Sequence, residues 1–350
     1  MIFNTQNIRV RARAPLRLGI AGGGTDLSPY CDKFGGAVLN VTIDRHAFAF
    51  LRPRTDGRVS FEALDVGVED LCGTDEVLDR PSPLVLHMGV YRRFVRDYLG
   101  GKPFAVSVAS TVDAPAGSGL GASSALVVAL VEAFRAYLDL PLGSYDIAHL
   151  AWDIERNDLG LAGGRQDQYS AAFGGVNFIE FLSGDRTVVN PLRLRAGVCE
   201  EIESSLAICF TGQSRASHDI IVQQRAAISG GPSVAIDAMH QLKLDAIDMK
   251  SAMLRGDVVE MATILDRSWA AKKQTASGVS NPLIDGLYDL ALANGALAGK
   301  VSGAGGGGFM MFMVPPERRR QLIVALEARG GQADVVALTH TGVVSWVAPT

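Results

Sequence analysis

The chain has 350 residues, of which 48% are hydrophobic and 20% charged, the make-up of an ordinary soluble globular protein of about two domains. Thirty-three basic against thirty-seven acidic residues leave a net charge of −4, spread along the chain. That excludes a basic stripe for nucleic acid and a polybasic membrane patch. A chain of this length buries a sufficient core without disulfides or metals. Cys31, Cys72, Cys199 and Cys209 form no C-x-x-C and have no histidine at zinc-ligand spacing, so they read as reduced thiols of a cytoplasmic protein. Met1–Arg9 is polar and has no apolar h-region, so no secretory signal is expected. The longest apolar run, Phe309–Val314, is too short for a membrane span.

In chain order, Ile8–Arg13 and Leu16–Ala21 read as two strand pieces separated by Pro15. The run Gly22-Gly-Gly-Thr-Asp26 must be a loop, because three glycines end any regular element. Ala37–Arg52 reads as one or two strands. Apolar residues at helical spacing predict a helix over Leu84–Leu99. Phe104–Val112 alternates and is a strand. A glycine-serine loop follows, then helices over Ala122–Leu140 and Ser144–Asp158, and a strand pair at Gly174–Phe181 and Arg186–Val189. The character changes near Asn190–Val198, which places a domain boundary at 195/196. Beyond it come a strand (Leu206–Thr211) and helices at Ala216–Ser229, Ser233–Arg255, Asp257–Thr275 and Asn281–Asn294. The stripe Ile236, Met239, Leu242, Ala246, Met249, Met253 reads as core. The close is strand (Gly299–Ser302), glycine loop, strand (Phe309–Val314), helix (Pro316–Arg329) and strand (Asp334–Leu338). Strands and helices mix without strict alternation, so the fold class is α+β.

Glycine is the outlier at 39 of 350 residues, against a usual share of about 7%. The most informative cluster is Asp113-Ala-Pro-Ala-Gly-Ser-Gly-Leu-Gly-Ala-Ser-Ser-Ala125, between a strand and a helix. Gly117, Gly119 and Gly121 let backbone N–H groups approach a ligand closely. The helix that follows adds free N–H groups and the positive end of its dipole, which makes an anion site suited to phosphate. Ser123 and Ser124 lie in the first helical turn, where hydroxyls reach a phosphate or its Mg²⁺. The Walker pattern fails for want of a lysine. Gly117-x-Gly119-x-x-Ala122 matches the dinucleotide variant G-x-G-x-x-A, with Asp139 as the ribose acid, which keeps an NAD-dependent oxidoreductase open. Against it, Asp139 ends a helix and not a strand. Gly303-x-Gly305-x-x-Gly308 precedes a strand, so its expected role is close backbone packing on the first loop or a substrate. Thr25 and Asp26 are suited to sugar hydroxyls, and Arg17 could share that space.

Together these segments resemble the GHMP small-molecule kinases. Residues 15–26 (Pro-Leu-Arg-Leu-Gly-Ile-Ala-Gly-Gly-Gly-Thr-Asp) are similar to the family's first motif. Pro115-x-x-x-Gly119-Leu120-Gly121-x-Ser-Ser124, with Ser118 and Ala122 inside it, is similar to the ATP loop, and Lys300–Gly308 to the third motif. The resemblance spans nearly the whole chain. It implies a two-domain α+β GHMP kinase architecture: an N-terminal domain (1–195) like ribosomal protein S5 domain 2, a ferredoxin-like C-terminal domain (196–350), and the active site between them. Within the family, Gly22–Asp26, Tyr30–Gly36, Phe210–Arg215, and Lys272-Lys273 followed by Gly278–Asn281 are most similar to D-glycero-D-manno-heptose 7-phosphate kinases. Galactokinases carry a His-Thr-Asp-Tyr type first motif, and Gly24 here precedes Thr25, which puts a galactose pocket in doubt.

The resemblance implies roles. Asp167, in Gly163-Gly-Arg-Gln-Asp-Gln168, corresponds to the catalytic aspartate, and Glu155, twelve residues earlier, to the Mg²⁺-binding glutamate. Phosphoryl transfer needs positioning, charge neutralisation and an acceptor for the hydroxyl proton. On this reading Asp167 is the base and Arg17 stabilises the nucleophile and the transferring group. Ser123 and Glu155 hold Mg²⁺, and the Gly117–Ser124 backbone holds ATP. The sugar phosphate is held by Gly23, Gly24, Thr25, Asp26 and Gly305, with Arg215, Lys272 and Lys273 as a second anion site. The expected reaction is transfer from ATP to the C1 hydroxyl of the heptose 7-phosphate, a step toward nucleotide-activated heptose and surface glycans. Another GHMP sugar-1-kinase and a catalytically silent sugar sensor on the same fold stay open.

Overall fold

A computed structural model describes residues 8–213, 218–231 and 233–349. The first sheet is built on two long strands. β1 (Arg9–Ala21) and β2 (Gly36–Pro53) pair antiparallel, with α1 (Tyr30–Phe34) in the connection between them. β1 is one strand where two pieces were expected. The interruption at Pro15 appears as a register irregularity between Pro15 and Arg17. β3 (Arg58–Ala63) and β4 (Val68–Gly73) form a hairpin that the sequence reading missed. After α2 (Val85–Tyr98), β5 (Val106–Val112) slots between β2 and β3. α3 (Ala122–Tyr137) and α4 (Ser144–Asp153) follow, and α4 runs on into a π-turn at Ile154–Asp158. Next come α5 (Gln166–Phe173), which was not anticipated, and the pair β6 (Val176–Phe181) and β7 (Thr187–Pro191). β2 is long enough to change partners: its first half pairs with β6 and its second with β5.

The second sheet has four antiparallel strands in the order β11-β8-β10-β9. α6 (Ala196–Ser204) leads into β8 (Leu206–Phe210). The helices α7 (His218–Ser229), α8 (Val234–Arg255), α9 (Val258–Lys273) and α10 (Pro282–Ala293) separate it from β9 (Ala298–Val301). β10 (Phe309–Met313), α11 (Pro316–Ala328) and β11 (Gln332–Asp334) complete it. Counted within this sheet the order is 4-1-3-2, the split βαβ arrangement of ferredoxin-like domains, as expected. The chain then returns. β12 (Val344–Ala348) pairs with the outer edge of β1, so the segment beyond residue 195 supplies a strand of the first sheet and does not form the second domain alone.

The apolar stripe of α8 is buried throughout. Its C-terminal half, Ala246, Met249 and Met253, joins the core under the first sheet, and Met239 and Leu242 pack with Leu27 and Tyr30. α8 is therefore the wedge that seats the second half of the chain on the first. Among the described residues, no helix is long and apolar enough to cross a membrane, and the four cysteines are unpaired.

Candidate active site

A cleft of about 470 Å³ lies where the two halves meet, walled by the glycine loop, α3, the π-turn, the start of α5, α7 and α9. Arg17 falls in phase with Arg9, Arg11 and Arg13 on one face of β1. Those three are exposed, whereas Arg17 is only 4% exposed because the glycine loop and α5 cover it. Its Nε donates to Asp167 Oδ1 at 2.7 Å, and Nη2 approaches the same oxygen at 2.6 Å. Nη1 donates to the Gly119 carbonyl at 2.5 Å, and the Arg17 amide donates to the Leu120 carbonyl at 3.0 Å. One arginine thus ties the glycine loop to Asp167 and leaves Asp167 Oδ2 for another partner.

Asp167 sits in the first turn of α5. That turn is capped from far away in sequence. Asp26 Oδ2 accepts the amides of Arg165 (2.9 Å) and Gln166 (3.1 Å), and Oδ1 accepts the Gly24 amide (3.1 Å) and Gln166 Nε2 (3.2 Å). By contrast, no side chain caps α3, and Gly121, Ala122, Ser123 and Ser124 line the cleft. Uncapped amides at a helix start suit an anion. Glu155, 2% exposed, comes off the π-turn facing them. Ser123 Oγ lies 3.5 Å from its Oε1, and Gln168 Nε2 donates to its Oε2. Burial pushes the Glu155 carboxyl up, against the opposing pull of Arg156 and the Gln168 hydrogen bond. Lys272, from α9, donates to the Gly23 carbonyl at 2.9 Å. Burial lowers its pKa to about 8; Asp26 works against this shift and Arg17 adds to it.

The third glycine run does not open a helix. It packs backbone on backbone against the first. A Cβ on Gly119 would meet the Ser302 carbonyl oxygen at 2.4 Å, and one on Gly308 would meet the Ser118 carbonyl oxygen at 2.4 Å. Both have positive φ, 77° and 82°, so glycine is required twice over. The Phe309 amide donates to Ser118 O at 2.8 Å, and Ser302 Oγ to Gly119 O at 3.0 Å.

Two family models match the chain, the GHMP kinases N terminal domain over residues 85–175 and the GHMP kinases C terminal over 249–332. A D-glycero-alpha-D-manno-heptose 7-phosphate kinase of Campylobacter jejuni is 44% identical over 96% of this chain and 98% of its own. The chain belongs to the GHMP kinase family. Among solved structures, a D-glycero-D-manno-heptose 1-phosphate kinase from Bacteroides thetaiotaomicron matches with a TM-score of 0.83 and 40% identity, covering 97% of this chain and all of that one. A galactokinase from Lactococcus lactis (TM-score 0.75, 18% identity, 96% and 95% coverage) shares the fold.

In this GHMP kinase the cleft brings together Arg17, Asp26, Gly24, Gly117–Gly119, Gly121–Ser124, Glu155, Asp167 and Lys272. Other expected residues lie differently. Thr25 is fully buried. Its hydroxyl donates to the carbonyls of Gly22 and Ala37, so it shapes the loop and presents no group to the cleft. Asp26 borders the cleft with both oxygens already engaged. Lys273 is exposed, its Nζ 5.6 Å from the Trp269 ring; adjacent helical residues point about 100° apart, so only Lys272 reaches the cleft. Gly305 packs on Val279, and the cleft wall takes Gly303 and Ala304 instead. Pro115 and Leu120 are outside the wall, Leu120 being wholly buried. Arg215 lies outside the described residues. Asp139 follows α3 with a positive φ of 51°, not a strand, and the first sheet is largely antiparallel, so the dinucleotide alternative loses its structural context. Arg156, Gln166, Gln168, His218 and Gln224 escaped the sequence reading. Gln166 and Gln168 lie inside the Gly163–Gln168 segment that carries Asp167, and Arg156, His218 and Gln224 carry no motif; only their neighbours in space give them a role.

Proposed function

We propose that this kinase transfers the γ-phosphoryl group of ATP to the anomeric C1 hydroxyl of D-glycero-D-manno-heptose 7-phosphate, forming the 1,7-bisphosphate. Such a product would supply nucleotide-activated heptose for surface glycans. The observation that carries the reading is the Arg17–Asp167 pair set between two helix starts, one uncapped and lined by glycines, the other bearing the carboxylate. The names of the similar heptose kinases support the sugar.

The α3 amides and the Gly117–Gly121 backbone would hold the ATP phosphates. Asp167 Oδ2 would take the proton as the sugar oxygen bonds to the γ-phosphorus and the bond to the ADP oxygen breaks. Arg17 fixes Oδ1 and brings positive charge to the transferring group. Lys272 closes the sugar end of the cleft. A hydroxyl and a carboxylate oxygen, Ser123 Oγ and Glu155 Oε1, suit Mg²⁺, which takes few protein oxygens and shares the rest with phosphate. Bound there, Mg²⁺ would neutralise phosphate charge and keep the buried Glu155 ionised.

The two heptose kinase names put the substrate's phosphate on different carbons. The test is therefore ADP release with Mg·ATP across heptose 7-phosphate, heptose 1-phosphate, mannose 6-phosphate, fucose, galactose and mevalonate, with phosphorus NMR of the product. Turnover with heptose 7-phosphate giving an anomeric phosphate is the expected result. Turnover confined to another sugar would replace the substrate, and ligand binding without turnover would support a silent sensor.

A further inference from the structure

A second cavity, of about 370 Å³, opens beside the first. The two share Asp26, Arg156, Leu161 and Gly163 in their walls, so they adjoin. Three arginines line the second: Arg156 from the π-turn, Arg165 at the start of α5, and Arg225 from α7. Arg165 is 5% exposed and sits 4.9 Å from the Trp152 ring centre. Its Nη2 pairs with Asp185 at 2.5 Å and Asp32 at 3.4 Å, while the buried Nη1 has no hydrogen-bond partner. An unbonded, buried, charged donor is costly to maintain without a ligand to meet it. Arg156 is held by the carbonyls of Leu161, Ala162 and Gly164, and its Nη2 lies 3.9 Å from Glu155 Oε2, a loose ion pair with a residue of the first cavity. Arg225 is exposed and has no ion-pair partner among the described residues. Of the acids in the wall, Asp26 has both oxygens engaged, Oδ2 in capping α5 and Oδ1 with the Gly24 amide and Gln166 Nε2, and Asp32 and Asp185 meet Arg165 through Nη2 alone.

We propose that this second cavity receives the phosphate that the sugar already carries, through Arg165 Nη1 and Arg225, with Arg156 standing between the two cavities. The inference rests on the sugar-kinase reading above and moves the second anion site away from Lys272 and Lys273. Lys272 stands at the reacting end, and Lys273 faces elsewhere. Arg165 and Asp167 are two residues apart in one helix start that Asp26 holds rigidly. That start acts as a ruler between the phosphate gripped and the hydroxyl phosphorylated. A sugar phosphate of the wrong length cannot satisfy both ends.

The test is steady-state kinetics of the wild-type enzyme, Arg225→Ala and Arg165→Lys with heptose 7-phosphate and with unphosphorylated heptose, at saturating ATP. Arg225→Ala is expected to raise KM for the 7-phosphate by about tenfold or more, the worth of a charge-assisted contact. The kcat, the KM for ATP and the KM for unphosphorylated heptose should hardly move. Arg165→Lys keeps the charge but loses the fork, and should also raise KM selectively for the 7-phosphate. A thermal melt confirms that each variant is folded. If the wild type turns over heptose 7-phosphate and neither variant shifts its KM, or both sugars shift together, the phosphate binds elsewhere and the inference fails while the kinase reading stands. If the wild type does not use heptose 7-phosphate, the proposed function falls and this site with it.

Discussion

Replacing Asp26 by asparagine tests whether the first motif binds sugar or builds the catalytic helix. The carboxylate accepts four N–H groups, at 2.9 to 3.2 Å, from Gly24, Arg165 and Gln166. An asparagine offers one acceptor oxygen, and its own amide then faces two of those donors. One buried and one half-buried donor lose their partner, at roughly 1–3 kcal/mol each, so Asp26→Asn should cost about 2–6 kcal/mol. The loss falls on the first turn of α5, which carries Asp167. Removing the charge also takes away the carboxylate that supports the protonated form of Lys272. The assays are the urea midpoint, hydrogen exchange of the Arg165 and Gln166 amides, and kcat. All three should respond together: a lower midpoint, faster exchange and a large fall in kcat. If only the sugar KM rises while midpoint and exchange stay at wild-type values, Asp26 is a substrate contact and the capping argument is wrong.

Asp167→Asn should lower kcat by about 10²–10⁴, the usual worth of a positioned base, while ATP binding measured by calorimetry survives; unchanged kcat would sink the base assignment. Gly119→Ala and Gly308→Ala each drive a Cβ to 2.4 Å from a carbonyl oxygen at positive φ. Each should lose about 2 kcal/mol or more and weaken ATP binding, read as a lower denaturation midpoint and a raised KM for ATP. Lys300, whose Nζ donates to the Gly19 carbonyl at 2.9 Å, has its pKa lowered from 10.5 to about 7 by burial and by Lys272 and Arg17. Between those values the unfolded chain binds the proton and the folded one does not, so stability rises with pH above 7. Burial pushes the Cys31 thiol the other way, to about 12, which opposes the rise above pH 9. Lys300→Met should therefore flatten the climb in urea midpoint between pH 7 and 9, and an identical slope in both proteins would refute the assignment.

The three glycine loops, the long helices and the apolar stripe of α8 were legible because each is a local pattern. What was not legible depends on partners far away in the chain. α5 has eight residues and no side-chain cap within its own segment; its cap is Asp26, 139 residues earlier. β12 is short and partly exposed, and becomes a strand by pairing with β1. Thr25 and Asp26 are residue types fit for sugar hydroxyls, and composition cannot reveal that backbone groups claim them first. Lys272 and Lys273 look equivalent in a string of letters and are separated only by the turn of the helix. The β3–β4 hairpin is hard to read although Phe61 is buried, since its two short strands intersperse Arg58, Glu62, Glu69 and Asp70 among few apolar residues.

The return of β12 to β1 bears on how this enzyme is made. A strand of the first sheet is translated after every element of the second, so β1 emerges from the ribosome with its outer edge bare and keeps it bare while about three hundred residues are added. An unpaired edge is where foreign strands dock. The alternating arginines Arg9, Arg11 and Arg13 along that edge are the sort of charge that discourages such pairing. The nascent chain therefore carries its own guard over a seam that closes late, and cutting the two halves apart would leave the first one permanently unzipped.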